Sequence, residues 1–371
     1  MLTSKPALSN VEAVNEYALK RPLLVSFTTK LEVLLRDLLQ AQKLEFHLIE
    51  SRTKDVVSLK EKINRSSKSY RDPLSEVSDL CGLRVITYYQ DHADAIGRLI
   101  QEEFLVDDGL SVLHSSQGAE FGYRSSHFVV RLSPTRSALL EWGGFDAICA
   151  EIQVRTVLQH AWAAISHKLQ YKREEDVPIA LKRKLFRLSA LFELADDEFV
   201  SLRDASGEVR KEITAQLATG ERSILLDSVS LDEYISTSLV VMEICADAES
   251  AGFSFETPDN EIVDEDDSID RLSDTLRLAT IAGLTTVEDF DAVLNRAVRW
   301  SKEYLHAQYI AGERESSSTW YATAGFICEL ILIASYADLF RVGNLLMSGY
   351  ERTIANRVFE VAKSFLGART K

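Results

Sequence analysis

AICAEIQVRT, residues 147–156, alternates strictly between apolar and functional side chains. Ile148, Ala150, Ile152 and Val154 fall on one side of an extended chain, and Cys149, Glu151, Gln153 and Arg155 fall on the other, which is the two-residue period of a strand. One face reads as core and the other as chemistry, although a sheet facing water would show the same alternation. Upstream, LRVITYY (83–89) and HFVVRL (127–132) read as two further strands, with ADAIGRLIQEEF (93–104) as the helix between them. Downstream, TVLQHAWAAISHKLQYK (156–172) returns to helix. From about residue 10 to 50, as in VSFTTKLEVLLRDLLQAQKLEF, apolar residues recur at three- and four-residue spacing and predict a long amphipathic helix. Together these segments make an α+β domain with a mixed β-sheet flanked by helices.

Beyond Pro178 the strand signals stop. ALKRKLFRLSALFELADDEFVSLRDASGEVRKEITAQL (180–217) predicts one or two charged amphipathic helices, and ATGERS (218–223) marks a boundary. The expected division is therefore a first domain over 1–218 and an all-α C-terminal domain over 219–371. A capping box is expected at Thr285 and Glu288 in the second.

The 371 residues carry a formal net charge of -15. That argues against an overall electrostatic grip on nucleic acid or an anionic membrane and makes any phosphate site a local basic patch. Cys81, Cys149, Cys245 and Cys328 lack CxxC spacing, so neither a zinc cluster nor a disulfide framework is expected, and a reducing, cytoplasmic setting fits. The longest apolar run, FICELILIASYADLF (326–340), is interrupted by Glu329 and too short to span a membrane.

The chemistry-bearing segments precede and include the 147–156 strand. In SRTKDVVSLKEK (51–62), taken as helical with Arg52 at its mouth, Lys54, Ser58 and Lys62 recur at i, i+4 and i+8. Two ammoniums and a hydroxyl on one stripe could hold a polyphosphate, but on charge spacing alone a solvated helix face accounts for them better. Asp79 precedes a Gly-containing turn into a strand that begins near Arg84, a position equally suited to local hydrogen bonding. Asp79 and Glu151 together form a hard-oxygen pair suited to Mg²⁺. GYRSSH (122–127) places an aromatic ring, a guanidinium, two hydroxyls and an imidazole at the mouth of a strand.

In order and spacing, RTKDVVSLKEK, DLCGLRV, GYRSSH, EIQVRT and HAWAAISHKLQYK resemble the synthetase domain of the RelA/SpoT family, over roughly residues 20 to 200. The resemblance implies a nucleotidyltransferase-like fold and transfer of the β,γ-pyrophosphate of ATP to the ribose 3'-hydroxyl of GDP or GTP, releasing AMP. By position it implies Arg52 and Arg84 around the adenine, Lys54, Ser58 and Lys62 on the triphosphate, and Asp79 and Glu151 on Mg²⁺, with Asp79, Glu151 and Lys62 as catalytic groups. It also implies Tyr123 stacked on the acceptor base, Arg124 and His127 near the acceptor phosphates or ribose, and Gln153, Arg155 and His160 around the acceptor pocket. The sequence departs from the family pattern on that side. Ala164 and Ser166 stand where relatives commonly carry glutamate, and His160 where some carry asparagine. The acceptor thus stays open between guanine nucleotides, adenine nucleotides and the 3' end of tRNA, the last helped by HKLQYKR and LKRKLFR if they form a basic patch rather than helix-surface charge. A chain that lost turnover through these changes would be a nucleotide-binding regulator. The C-terminal helices are left three roles: self-association, binding a protein partner, or covering the synthetase site.

Overall fold

A capping box starts the fold. Ser9 Oγ accepts from the Glu12 N–H while the Glu12 carboxylate accepts from the Ser9 N–H, satisfying donors that a helix start leaves unpaired. The computed structural model describes residues 9–65, 70, 72–112, 125–169, 179–255, 265–313 and 322–369. Contacts divide the chain into two units, Met1–Asp204 and Ala205–Lys371. The division falls within a helix, Ile179–Ala218, at whose end the composition shift lies.

The first unit runs α1 (Asn10–Ala41), β1 (Leu48–Thr53), α2 (Val56–Ile63), α3 (Pro73–Glu76), β2 (Cys81–Thr87), α4 (Gln90–Glu103), β3 (Phe104–Val106), β4 (Ser126–Leu132), α5 (Pro134–Ser137), β5 (Ala150–Thr156), α6 (Val157–Leu169) and α7 (Ile179–Ala218). Its sheet has the order β1-β2-β5-β4-β3, parallel only between β2 and β5, so it is mixed as expected. The apolar side of β5 is core: Ala150, Ile152 and Val154 are buried with Leu83 and Val85 of β2 and Phe128 and Val130 of β4. On α1, Phe27, Leu31, Leu35 and Leu39 supply one helical stripe to the same core. Leu35 is fully buried, so Leu35→Ala should lower the stability of this unit by about 2–5 kcal/mol, read as an earlier urea transition.

Two strands escape the sequence pattern. The helix expected to about residue 50 stops at Ala41, because Lys43 adopts a left-handed conformation (φ 54°) that turns the chain back as β1. Only Ile49 of β1 is buried, so that edge strand has no apolar alternation to read. β3 has three residues joined directly to α4.

The second unit is helical: after the end of α7 come α8 (Ser228–Thr237), α9 (Leu239–Ala251), α10 (Glu265–Ile281), α11 (Val287–Ala297), α12 (Ser301–Glu313), α13 (Ala324–Ser335), α14 (Val342–Met347) and α15 (Arg352–Arg369), with no strand among the described residues beyond a bridge between Leu225 and Thr286. The longest apolar run is its central helix, α13, buried from Ile327 to Ala334. Glu329 within that run accepts from Thr275 Oγ1 at 2.9 Å and Tyr350 OH at 2.7 Å, which is what lets a carboxylate sit in this core. The cap of α11 is Thr286 with Asp289, one residue beyond the expected pair, because Asp289 reaches back to the N–H groups of both Thr285 and Thr286. No described helix is long and apolar enough to cross a membrane.

Candidate active site

The polar face of the sheet is organised in cross-strand rows. Directly opposed residues share a face, so Glu50, Arg84, Gln153 and His127 form one row across β1, β2, β5 and β4. Arg52, Gly82 and Glu151 form the next. Glycine in the middle of that second row leaves its place empty, and a cleft of about 250 Å³ opens there, lined by Glu50, Ser51, Arg52, Asp79, Gly82, Leu83, Arg84, Glu151 and Gln153. Asp79 and Glu151, far apart in sequence, therefore line one cleft. The parallel register brings them together: Glu151 lies beside Gly82, three residues beyond Asp79.

Lys54 Nζ contacts Asp79 Oδ2 at 2.7 Å and Lys62 Nζ contacts Oδ1 at 2.8 Å, so each oxygen of the carboxylate carries an ammonium. The two lysines do not reach it as a helical stripe. Helix α2 starts only at Val56, so Lys54 precedes it, and Arg52 lies on β1 rather than at a helix mouth. Lys54 is held by its backbone instead, its N–H donating to the Leu80 carbonyl and its carbonyl accepting from Tyr17 OH at 2.6 Å. Ser58 is exposed on α2 and makes no described contact with Asp79. At 6% exposure Lys54 needs an anion beside it, here the carboxylate.

Burial would raise the Asp79 pKa, but hydrogen bonds and charge from Lys54 and Lys62 hold it below the usual carboxylate range. Glu151 is likewise pushed up by burial and by the Asp79 charge, yet bonds from His127 and Gln153 leave it lowered overall. Both groups are ionised at neutral pH. The sign follows: a depressed folded pKa contributes stability that is present above the unfolded aspartate value, about 3.9, and lost as pH falls through the folded one. Asp79→Asn should therefore lower stability at pH 7 by about 1–3 kcal/mol, as Lys54 loses its counter-charge. The gap to the native chain should close in urea titrations below about pH 4.

Beside the cleft, Gln153 links the cations to Glu151. Its Oε1 accepts from Arg84 Nε at 3.4 Å and from Arg155 Nη2, and its Nε2 donates to Glu151 Oε1 at 2.8 Å. Arg84 also reaches Glu50 at 3.4 Å. His160 on α6 has its pKa lowered, first by burial and then by Arg155, and its Nδ1 is buried without a hydrogen-bond partner among the described residues. His127 contacts Glu151 at 2.9 Å. Tyr123 and Arg124, expected at the acceptor, lie outside the described residues, as does the first half of GYRSSH. Glu50 and Ser51 line the cleft without having been singled out in the sequence, and Gly82, expected in a turn before a strand that begins near Arg84, lies within β2, which already starts at Cys81.

Two ionised carboxylates on one cleft, with cations beside them, form a donor set that suits a hard divalent ion completed by phosphate oxygens. Among the described residues no cluster of three or more His, Cys, Asp or Glu competes as a metal site.

The pattern described as the region found in RelA / SpoT proteins matches residues 51–176, which lies wholly within the first unit. The chain belongs to the RelA/SpoT family. It is 30% identical over 165 residues to the GTP pyrophosphokinase YjbM of Bacillus subtilis (strain 168), covering 44% of this chain and 73% of that protein. To the GTP pyrophosphokinase YwaC of the same organism it is 26% identical over 161 residues, covering 42% and 72%. Among solved structures, small alarmone synthetase 1 from Bacillus subtilis bound to its product pppGpp is similar at 26% identity, covering 49% of this chain and 93% of that one with a TM-score of 0.40.

Proposed function

We propose that the chain is an ATP-dependent pyrophosphokinase that transfers the β,γ-pyrophosphate of ATP to the ribose 3'-hydroxyl of GDP or GTP. The observation that carries this reading is the convergence of Lys54 and Lys62 on Asp79 in the cleft that Glu151 also lines. The relatives named GTP pyrophosphokinase supply the reaction class.

In this reading Arg52 and Arg84 flank the adenine, and Lys54 and Lys62 exchange part of their pairing with Asp79 for phosphate oxygens. The acceptor oxygen forms a bond to the β-phosphorus as the bond from that phosphorus to the oxygen of AMP breaks. The hydroxyl proton passes to the Glu151 carboxylate. Asp79 and Glu151 would hold Mg²⁺, which when bound supplies charge neutralisation on the phosphates. Arg84 and Arg155 both donate to Gln153, whose amide in turn donates to Glu151 and holds the carboxylate in place.

The test offers γ-labelled ATP to the full chain with GDP, GTP, AMP, ADP, ATP and bulk tRNA in turn. Labelled ppGpp or pppGpp with equimolar AMP is expected. Label on tRNA or on an adenine nucleotide instead would replace the guanine acceptor, and nucleotide binding without AMP release from any acceptor would remove the enzymatic reading.

A further inference from the structure

Among the described residues, both hydrogen bonds to Glu151 land on the same oxygen. Oε1 receives His127 Nδ1 at 2.9 Å and Gln153 Nε2 at 2.8 Å, while Oε2 takes no hydrogen bond from a described residue. An ionised carboxylate only accepts, so His127 Nδ1 carries the proton. The other ring nitrogen, Nε2, lies 2.8 Å from Ser125 Oγ. A hydroxyl can donate to a neutral ring or accept from a charged one, so Ser125, itself 3% exposed, supports the ring in either state.

The backbone of His127 is clamped as well. It pairs with Gln153 on β5 at one edge, and at the other it exchanges hydrogen bonds of 2.8 and 2.9 Å with Val112. A ring engaged at both nitrogens cannot swing to a ligand without giving up its bonds to Glu151 and Ser125. The sequence places His127 near the acceptor's phosphates or ribose; here both of its ring nitrogens are already engaged by protein groups.

We infer that His127, backed by Ser125, is a positioning residue for Glu151: with Gln153 it pins Oε1 and leaves Oε2 as the oxygen offered to the reacting hydroxyl and its metal. The kinetic consequence rests on the pyrophosphokinase reading, whereas the hydrogen-bonded chain Ser125–His127–Glu151 does not.

Two measurements on the full chain test it. In steady-state assays with ATP and the accepted nucleotide, His127→Ala should lower kcat about 10–100-fold and leave both KM values within about twofold, the size of effect seen when a carboxylate or imidazole loses its orienting partner. His127→Asn should recover most of kcat, because its amide can donate from near the place of Nδ1. A raised acceptor KM with kcat intact would make His127 an acceptor ligand and overturn the inference, as would an unchanged kcat in His127→Ala or equal losses in the alanine and asparagine variants. Ring ¹⁵N spectra read the pair without turnover: His127 should be protonated on Nδ1 and lose that preference in Glu151→Ala. Protonation on Nε2 alone in the native chain would overturn the inference whatever the activity. A native Nδ1–H signal in a chain that makes no product would sink only the pyrophosphokinase reading.

Discussion

Glu151→Gln is expected to lower kcat by about 10²–10³-fold while the protein stays folded and binds ATP. The amide has the shape of the carboxylate, so the apolar side of β5, where Ala150, Ile152 and Val154 are buried, is undisturbed. What it loses is the negative charge and the ability to accept a proton. His127 Nδ1 and Gln153 Nε2 both donate at this place, so the amide carbonyl must face them and the NH₂ is left toward the hydroxyl, where it can neither accept a proton nor hold a cation. The change should appear in kcat far more than in KM, since the lost interaction develops in the transition state. Turnover within a few-fold of the native rate would mean that Glu151 is a bystander.

The second large effect is expected at Gly82. In its row it sits between Arg52 and Glu151, and a side chain there would project into the cleft. Its backbone is not left-handed, and an added Cβ would meet nothing nearer than the Arg52 carbonyl at 3.6 Å, so the strand accepts the first carbon of a side chain here without strain. Gly82→Leu should therefore leave the urea transition near its native midpoint and weaken nucleotide binding by about 1–3 kcal/mol, roughly 5–150-fold in affinity. Gly82→Ala should fall between. Unchanged ATP affinity in Gly82→Leu would show that the donor does not use the space above this strand.

Much of this layout can be read in the sequence because β2 and β5 are central strands with one buried face. Alternation in AICAEIQVRT assigns Glu151, Gln153 and Arg155 to one side before any partner strand is known, and the structure keeps them there. Contacts that depend on register are not legible in the same way. His127 meets Glu151 only because β4 lies antiparallel beside β5 with His127 opposite Gln153, one diagonal step from Glu151. The lysines illustrate a different limit. Their helical spacing suggests a stripe, but Lys54 is outside the helix and meets Lys62 at Asp79 because the end of β1 hydrogen-bonds to the turn before β2. β1 itself is silent in the sequence, since an edge strand with Ile49 as its one buried residue needs no apolar alternation.

If the cleft works as proposed, Asp79 and Glu151 hold the same ion against the same nucleotide. Electron paramagnetic resonance of Mn²⁺, titrated into the full chain with a non-transferable ATP analogue, observes that ion directly. A tightly bound Mn²⁺ is predicted for the native chain, with its affinity falling in both Asp79→Asn and Glu151→Gln. Native affinity in either variant would contradict a shared ion at this pair of carboxylates.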